Sequence, residues 1–576
     1  MKVSDYIARN LYARGVRHVF ELSGGMITHL LDSICTERQI ELVSVRHEQA
    51  AAFAADATGR MTGIPGVAMA TSGPGATNLL TGIGSCFFDS SPAVFITGQV
   101  NRHEQKKDRQ IRQLGFQETD IVAMARPITK AAWLVDDPND VPALLDRAFD
   151  LATAGRPGPV LIDIPMDVQR VRIDAPPGAS AAARPDAVMA ATADLTPIVG
   201  AVRAAARPVI LVGGGVRASR SADLLRRLAD ASGVPVVNSL MAVDVLPYAH
   251  PLRVGMIGSY GNRWANLALS RADVLIVIGS RLDVRQTGSE TAAFKGDRTV
   301  FHLDCEAGEI NNRVIGCTAV IGELQHVLPA LVARFEAAGP AAGGYRDWLA
   351  EIADLRAQWS DLAELGGAPG INPNAFMHRL SARSADAAAF VVDVGQHQMW
   401  AAQSLELGPD QRFLTSGGMG SMGFALPAAL GAALHADGRP VVVIAGDGGF
   451  QCNIQELQTA VQHRLPLKIV VLHNHCHGMV RQFQESYFEK RYPSTYWGYS
   501  APDFAKVAAA YGFCSETVSE PDKVDAAVDW LWAERDSPKL LQVMIDVGVN
   551  VYPKIAFGKP ISEMEPFAQP IAMEST

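Results

Sequence analysis

The stretch VVVIAGDGGFQCNIQELQTAVQHRLPLKIVVLHN, residues 441–474, decides the fold. It opens on a continuously apolar run and meets an acid enclosed by glycines (Gly446, Asp447, Gly448, Gly449). A segment of helical spacing follows, then a second apolar run that ends at Asn474. Uninterrupted apolar strands are buried on both faces, and two of them joined through a helix make a parallel βαβ unit. The carboxyl ends of such strands meet at one edge of the sheet, where ligands sit. Asp447 and Asn474, 27 residues apart, are therefore expected to face one site with one carboxylate and one amide oxygen. Hard oxygen donors with positions left open for phosphate oxygens suit Mg²⁺.

The same rhythm extends in both directions. VAMATSG, AVFITGQV and VLIDIP stand in the first third, PVILVGGG, VLIVIGSR and TVFHLD in the middle, and FVVDVG in the last third. Amphipathic Ala/Leu-rich stretches separate them, which predicts an α/β chain of three doubly wound parallel-sheet domains. Two segments without apolar period, residues 174–187 (DAPPGASAAARPDA) and 366–374 (GGAPGINPN), read as linkers. They set expected domains at 1–175, 190–340 and 370–550, with a C-terminal tail at 551–576. Of 576 residues, 48% are hydrophobic and 19% charged, enough for several cores and against an extended disordered chain. A net charge of −9, from 51 basic and 60 acidic residues, argues against a nucleic-acid partner. Seven scattered cysteines with no CxxC pair suit a reducing compartment. The charged start MKVSDYIARNLYARG has no apolar leader core, and apolar runs such as residues 274–278 are strand-length, so a cytoplasmic protein without a membrane partner is expected.

Glycine turns follow strands in all three domains. Gly213, Gly215 and Ala218 in PVILVGGGVRA, with Gly214 between the first two, give a GxGxxA match, a turn that lets a helix N-terminus approach a pyrophosphate, though a plain βα turn reads equally well. Arg281 and Arg285 in GSRLDVR suit an anionic nucleotide, and Asp304, closing TVFHLD, joins them as a cofactor-binding candidate. In the third domain Gly418, Gly420 and Gly423 match GxGxxG, and Asp447 lies 24 residues beyond the last glycine. On that fingerprint a nicotinamide dehydrogenase competes. The glycines around Asp447 weigh against it, because a ribose-binding acid needs no such permissive backbone.

GDG followed by Asn resembles the thiamine diphosphate motif, and the chain resembles that enzyme family across nearly its whole length. Within the family it is most similar to the acetolactate synthase group. VRHEQAAAFAADATGR, TSGPGATN, GFQETDIV, DVGQHQMWAAQ, LTSGGMGSMGFALPAA and GDGGFQCNIQELQTAV carry the likeness. The resemblance implies a pyrimidine-binding first domain, a central FAD/nucleotide-type domain and a pyrophosphate-binding third domain. It implies that Glu48 hydrogen-bonds the aminopyrimidine ring and promotes its imino tautomer, with Phe116 and Gln117 on the partner side of the cleft beside Gly73 and Asn78. Met422 would wedge the cofactor, in company with Gly420. Gly395, Gln396, His397, Gly446, Gly448, Gly449, His477, Gly478 and Met479 would contact diphosphate or thiazolium. Asp447, Asn474 and the backbone carbonyl of Cys476 would hold Mg²⁺. Thiamine diphosphate, Mg²⁺ and a structural FAD are the cofactors implied. A homodimer or homotetramer with active sites at subunit interfaces is implied as well.

Departures from biosynthetic acetolactate synthases gather on the acceptor side. They are Ser23 and His29 in ELSGGMITHLL, Met166 where a lysine is expected, Phe483 where a tryptophan is expected, and His473 before Asn474. A smaller aromatic and a lost lysine fit a larger or uncharged ketone acceptor. The expected function is decarboxylation of a 2-oxo acid, pyruvate foremost, and transfer of the two-carbon acetyl unit to a carbonyl acceptor. The alternatives are transfer to a keto-sugar nucleotide or other ketone, a decarboxylase or diketone-cleaving relative, a catalytically silent FAD-binding relative, and the nicotinamide dehydrogenase.

Overall fold

The structure is a computed structural model that describes residues 1–174, 194–339 and 344–571. Residues 175–187 of the expected first linker, 190–193 and 340 of the expected central domain, and 572–576 of the tail lie outside the described residues. Three six-stranded sheets, all parallel, organise the described chain. The first contains β1 (His18–Leu22), β2 (Glu41–Ser44), β3 (Gly66–Ala70), β4 (Ala93–Gln99), β5 (Ala131–Leu134) and β6 (Pro159–Pro165), in the order β2-β1-β3-β4-β6-β5. The second contains β7 (Pro208–Val212), β8 (Val236–Asn238), β9 (Arg253–Met256), β10 (Val274–Ile278), β11 (Thr299–Asp304) and β12 (Thr318–Ile321), in the order β12-β11-β10-β7-β8-β9. The third contains β13 (Ala389–Val392), β14 (Arg412–Thr415), β15 (Val441–Gly446), β16 (Leu467–His473), β17 (Cys514–Val518) and β18 (Lys539–Met544), in the order β14-β13-β15-β16-β18-β17.

The inner strands β3, β4, β6, β7, β10, β13, β15 and β16 are buried at every residue. That burial is why they read as unbroken apolar runs rather than alternating ones. The first and third sheets share one strand order, and each reverses direction of strand addition beside its second strand in space. The middle sheet has the dinucleotide-type order, reversing between β7 and β10.

The first and third sheets are not independent. Helix Glu48–Thr62 leaves the first sheet and packs along helix Ala425–Ala433 of the third, and both are rich in buried alanine. Small side chains let the two backbones approach closely. A Cβ on Gly431 would stand 2.1 Å from the carbonyl oxygen of Ala54. Phe53 meets Phe424 edge-on at 5.3 Å, so one core is built from both domains.

Part of the tail expected at 551–576 returns to the central sheet. β19 (Lys554–Ile555) and β20 (Met564–Glu565) form an antiparallel pair, and Ile555, Ile561 and Met564 enter the core of the central sheet. Arg263 holds this return from below, with Glu364 at 2.5 and 2.9 Å and the Glu565 carbonyl at 2.9 Å. Among the described residues no helix is long and apolar enough to cross a membrane.

Candidate active site

Both ligand residues read from the opening stretch stand at the carboxyl edge of the third sheet, beside its reversal between β13 and β15. Asp447 directly follows β15 and begins a short helix (Asp447–Cys452). It is buried, and its Oδ1 accepts the N–H of Gly448 at 2.8 Å. Its Oδ2 makes no hydrogen bond among the described residues, and the nearest imidazole, His473 Nε2, lies 3.6 Å away. Burial pushes the Asp447 carboxyl up to about 6, against the pull of the Gly448 amide. An unpartnered buried carboxylate oxygen is costly unless a cation completes it.

Asn474 follows β16 on the neighbouring strand. Its Nδ2 donates to Gln396 Oε1 at 3.0 Å, and its Oδ1 accepts the Cys476 N–H at 3.3 Å. The turn through His475, at φ 56, sits in the left-handed region and brings Cys476 back toward the sheet edge. Burial raises the Cys476 thiol to about 11. Asp447 Oδ2 and the Asn474 side chain offer one carboxylate and one amide oxygen at this edge. Among the described residues no cluster of three His, Cys, Asp or Glu side chains could hold a metal instead. The residues present therefore fit an oxygen-liganded cation such as Mg²⁺, completed by a ligand's own oxygens.

Gly395, Gln396 and His397 follow β13 and face Asp447 across the reversal. Burial drives the His397 ring down to about 3, so it stays neutral, and its Nε2 has no partner among the described residues. Close quarters explain two glycines: a Cβ on Gly448 would meet the His477 ring at 2.6 Å, and one on Gly478 would stand 1.9 Å from Gln396 Oε1. Gly395, Gln396, His397, Gly420, Met422, Gly446, Asp447, Gly448, Gly449, Asn474, Cys476, His477, Gly478 and Met479 all line one cavity of about 1400 Å³. Gly213, Gly214, Gly215, Arg281, Arg285 and Asp304 line the same cavity from the central sheet. There the glycines serve a loop crossing, for a Cβ on Gly213 would lie 2.2 Å from the Gly279 carbonyl oxygen.

The remaining candidates lie apart from this cavity. Glu48, at the start of helix Glu48–Thr62, is buried and accepts the Asn78 amide through Oε2 at 2.9 Å. A Cβ on Gly73 would touch Gln117 Cβ at 3.0 Å, which sets Gln117 on the same wall. Phe116 stands 79% exposed beside them. None of Glu48, Gly73, Asn78, Phe116 and Gln117 lines the large cavity. One chain thus carries two separate groups of candidate residues.

The GxGxxG of Gly418, Gly420 and Gly423 does not act as a dinucleotide turn. It follows β14, an edge strand, and the start of the next helix is already occupied: Asp393 accepts the N–H of Gly423 at 2.9 Å and of Ala425 at 3.1 Å. Asp393, buried and pushed up to about 6 by that burial, is a structural acid that sequence reasoning passed over within DVGQHQ. Two further charged groups were invisible in sequence. Asp89 accepts the Gly417 and Gly418 amides at 3.1 and 2.6 Å while pairing with Arg60 at 3.0 Å. Asp244 joins Arg217 at 3.0 Å to Arg412 at 2.9 Å. Residues hundreds of positions apart offer no spacing to read.

Family models for the thiamine pyrophosphate enzymes match the chain in three parts. The N-terminal TPP binding domain matches residues 1–124, the central domain 195–331 and the C-terminal TPP binding domain 393–543. The chain belongs to the thiamine pyrophosphate enzyme family. Curated relatives in this family include the acetolactate synthase isozyme 2 large subunit of Escherichia coli, 37% identical over 98% of this chain and 99% of the relative. The acetolactate synthase large subunits of Corynebacterium glutamicum (36%) and Parasynechococcus marenigrum (37%) match 97% and 96% of the chain and 89% of each relative. The Asp447–Asn474 pair, Met422 and the glycines around them fall within the C-terminal TPP binding domain, and Glu48, Gly73, Asn78, Phe116 and Gln117 fall within the N-terminal one.

Proposed function

We propose that this thiamine pyrophosphate enzyme is an acetolactate synthase-like carboligase. It breaks the bond between the carboxylate and carbonyl carbons of a 2-oxo acid, pyruvate in the first instance, and joins the resulting two-carbon unit to a carbonyl acceptor. Carbon dioxide leaves, the electron pair it leaves behind makes the new carbon–carbon bond, and the acceptor oxygen takes up one proton. The observation that carries the reading is the buried Asp447 Oδ2 without a hydrogen-bond partner, beside Asn474 at the reversal of the third sheet.

Thiamine diphosphate, when bound, supplies the electron sink that lets a 2-oxo acid lose carbon dioxide. The chain's own residues supply the rest. Asp447, Asn474 and the Cys476 carbonyl would hold Mg²⁺, and the amides near Gly446, Gly448 and Gly449 would face the diphosphate. His397, kept neutral by burial, can hydrogen-bond there without adding charge. Glu48, fixed by the Asn78 amide, holds or passes a proton at its free oxygen Oε1. The apolar Met422 shields the reacting region from water, and a dry cleft favours loss of charge as carbon dioxide departs.

The separation of the Glu48 group from the Asp447 cavity, and the exposure of Phe116, support an active site closed by a second copy of the chain, in a homodimer or homotetramer. The central sheet's dinucleotide order and the glycine, arginine and Asp304 lining support a structural FAD. Expected domain limits of 1–175, 190–340 and 370–550 follow the three sheets. A cytoplasmic location suits the reducing cysteine pattern. A second reading, transfer to a keto-sugar nucleotide or another large ketone, is favoured by Met166 and Phe483 at the acceptor side.

The test feeds pyruvate to the purified protein with thiamine diphosphate and Mg²⁺, with and without candidate ketones, and identifies products by mass. Acetolactate from pyruvate alone supports the plain synthase. A mixed adduct formed only with an added ketone supports the second reading. Acetaldehyde as sole product refutes carboligation.

A further inference from the structure

The connection from β4 to helix Ile121–Ala125 carries Phe116 and Gln117 near its end, and its residues 102–112 take no part in the chemistry above. Between residues 102 and 112 stand Arg102, Lys106, Lys107, Arg109 and Arg112 against Glu104 and Asp108, a surplus of three positive charges in a chain of net −9. Arg102 is paired with Asp167 at 2.8 Å. Lys106, Lys107, Arg109 and Arg112 pair with no carboxylate among the described residues.

The acids nearby are committed to the backbone. Glu118 accepts the Lys106 N–H at 2.6 Å and the Leu114 N–H at 2.8 Å, closing the loop at both ends. Glu104 accepts the Asn101 backbone and side-chain amides at 3.1 and 2.7 Å. The loop is therefore pinned in shape, while its four cations make no ion pair among the described residues and Lys106 Nζ meets only the Ile111 carbonyl, at 3.5 Å. Arg102, His103, Lys106, Lys107 and Arg109, with Asp108 among them, border a recess of about 610 Å³; Arg112 is on the same loop but not in that lining. Glu118, which pins the loop, directly follows Phe116 and Gln117, and Gln117 packs on Gly73. The cation-bearing loop and Gln117 thus belong to one connection, tied together by the bonds of Glu118.

Like charges gathered on a fixed loop repel unless an anion joins them. One carboxylate on a small donor does not require four cations, whereas a phosphate or diphosphate group engages several at once through charge-assisted hydrogen bonds. We propose that Lys106, Lys107, Arg109 and Arg112 form a docking site for the anionic handle of the carbonyl acceptor, a phosphate or diphosphate ester of a larger ketone. The proposal rests on the carboligase reading and names its acceptor class.

The test uses holoenzyme saturated with thiamine diphosphate, Mg²⁺ and FAD, so that those pockets are filled. Uridine diphosphate and inorganic phosphate are titrated by calorimetry into the parent and into the combined variant Lys106→Ser, Lys107→Ser, Arg109→Ser, Arg112→Ser. The parent is expected to bind uridine diphosphate more tightly than inorganic phosphate, with affinity that falls as salt rises. The variant is expected to bind it about tenfold or more weakly, with pyruvate-only turnover and thermal melting unchanged. Equal affinity in both proteins, or none in the parent, overturns the proposal and leaves the carboligase reading standing. Inorganic phosphate binding as tightly as uridine diphosphate overturns the acceptor handle in favour of a simple anion site. Absent turnover of pyruvate in both proteins, alone and with every added ketone, with the loop-dependent binding intact, defeats the carboligase reading and with it the acceptor role, and leaves an anion site on the loop.

Discussion

Asp244→Asn takes one negative charge from between two guanidiniums and leaves the side-chain volume nearly unchanged. Asp244 is buried; Oδ1 accepts Arg217 Nε at 3.0 Å, and Oδ2 accepts Arg412 Nε at 2.9 Å and the Phe413 N–H at 3.1 Å. The carboxylate thus locks β14 of the third sheet onto the central domain along the wall of the large cavity. Asparagine keeps one accepting oxygen and turns an NH₂ toward cationic donors. Hydrogen bonds to charged groups contribute about 1.5–3 kcal/mol each, and breaking a buried ion pair costs about 3–5 kcal/mol. Arg217 and Arg412 are 20% and 21% exposed, which lets water recover part of the loss. A cost of roughly 3 kcal/mol is expected, or about a hundredfold in the opening equilibrium of this junction. Hydrogen–deuterium exchange at Arg412–Thr415 measures it, with Asp223→Asn, in an exposed pair with Arg226, as the control that leaves exchange unchanged. The pH dependence follows the same carboxylate. Burial alone would raise Asp244, but Arg217 and Arg412 outweigh it and hold the group below its ordinary value of 3.8. Its stabilisation is therefore present above that value and is lost as pH falls through the lower folded pKa. Exchange in Asp244→Asn within about threefold of the parent would refute the argument, since it would mean an opening cost under about 0.7 kcal/mol.

Four further outcomes are expected. Glu48→Gln keeps an oxygen for Asn78, so cofactor binding and melting should stay near parental while turnover drops by about 10²–10⁴; near-parental turnover removes Glu48 from the chemistry. Asp447→Asn should abolish the rescue by Mg²⁺ that restores thiamine diphosphate binding to chelator-treated parent, read by quenching of tryptophan fluorescence; equal rescue would place the cation elsewhere. Phe116→Asp, at a residue 79% exposed, should leave the subunit folded and weaken self-association in analytical ultracentrifugation, and an unchanged sedimentation coefficient counts against the closed interface. Arg263→Ala leaves Glu364 buried without its partner and frees the Glu565 carbonyl; a loss of about 3–5 kcal/mol should appear as rapid proteolysis of the last residues, and parental resistance would show that apolar packing alone holds the tail.

Much of the site was legible because its chemistry is written locally. Asp447 and its glycines occupy one turn, and Asn474 closes the adjacent strand, so strand periodicity alone predicts that they meet. The GxGxxG after Phe413 and Leu414 left a dinucleotide reading in competition for the complementary reason: a glycine spacing is local, whereas the position of its strand in the sheet is not. β14 is an edge strand, and Asp393 fills the helix start that a pyrophosphate would need. The return of the tail to the central sheet was not legible, because its few apolar residues follow no period; Ile555, Ile561 and Met564 are buried there.

By itself the amino-acid sequence determined the alternation of strand and helix, the parallel sheets and the oxygen-donor pair, because hydrophobic period and turn chemistry act over a few residues. Strand order, the placing of the Glu48 and Asp447 groups in separate parts of one chain, the junction through Asp244 and the cation-bearing loop pinned by Glu118 were decided only in three dimensions. Those features depend on which distant backbones pack closely enough to share a carboxylate or a core. That is settled by the tertiary packing and leaves no spacing in the chain.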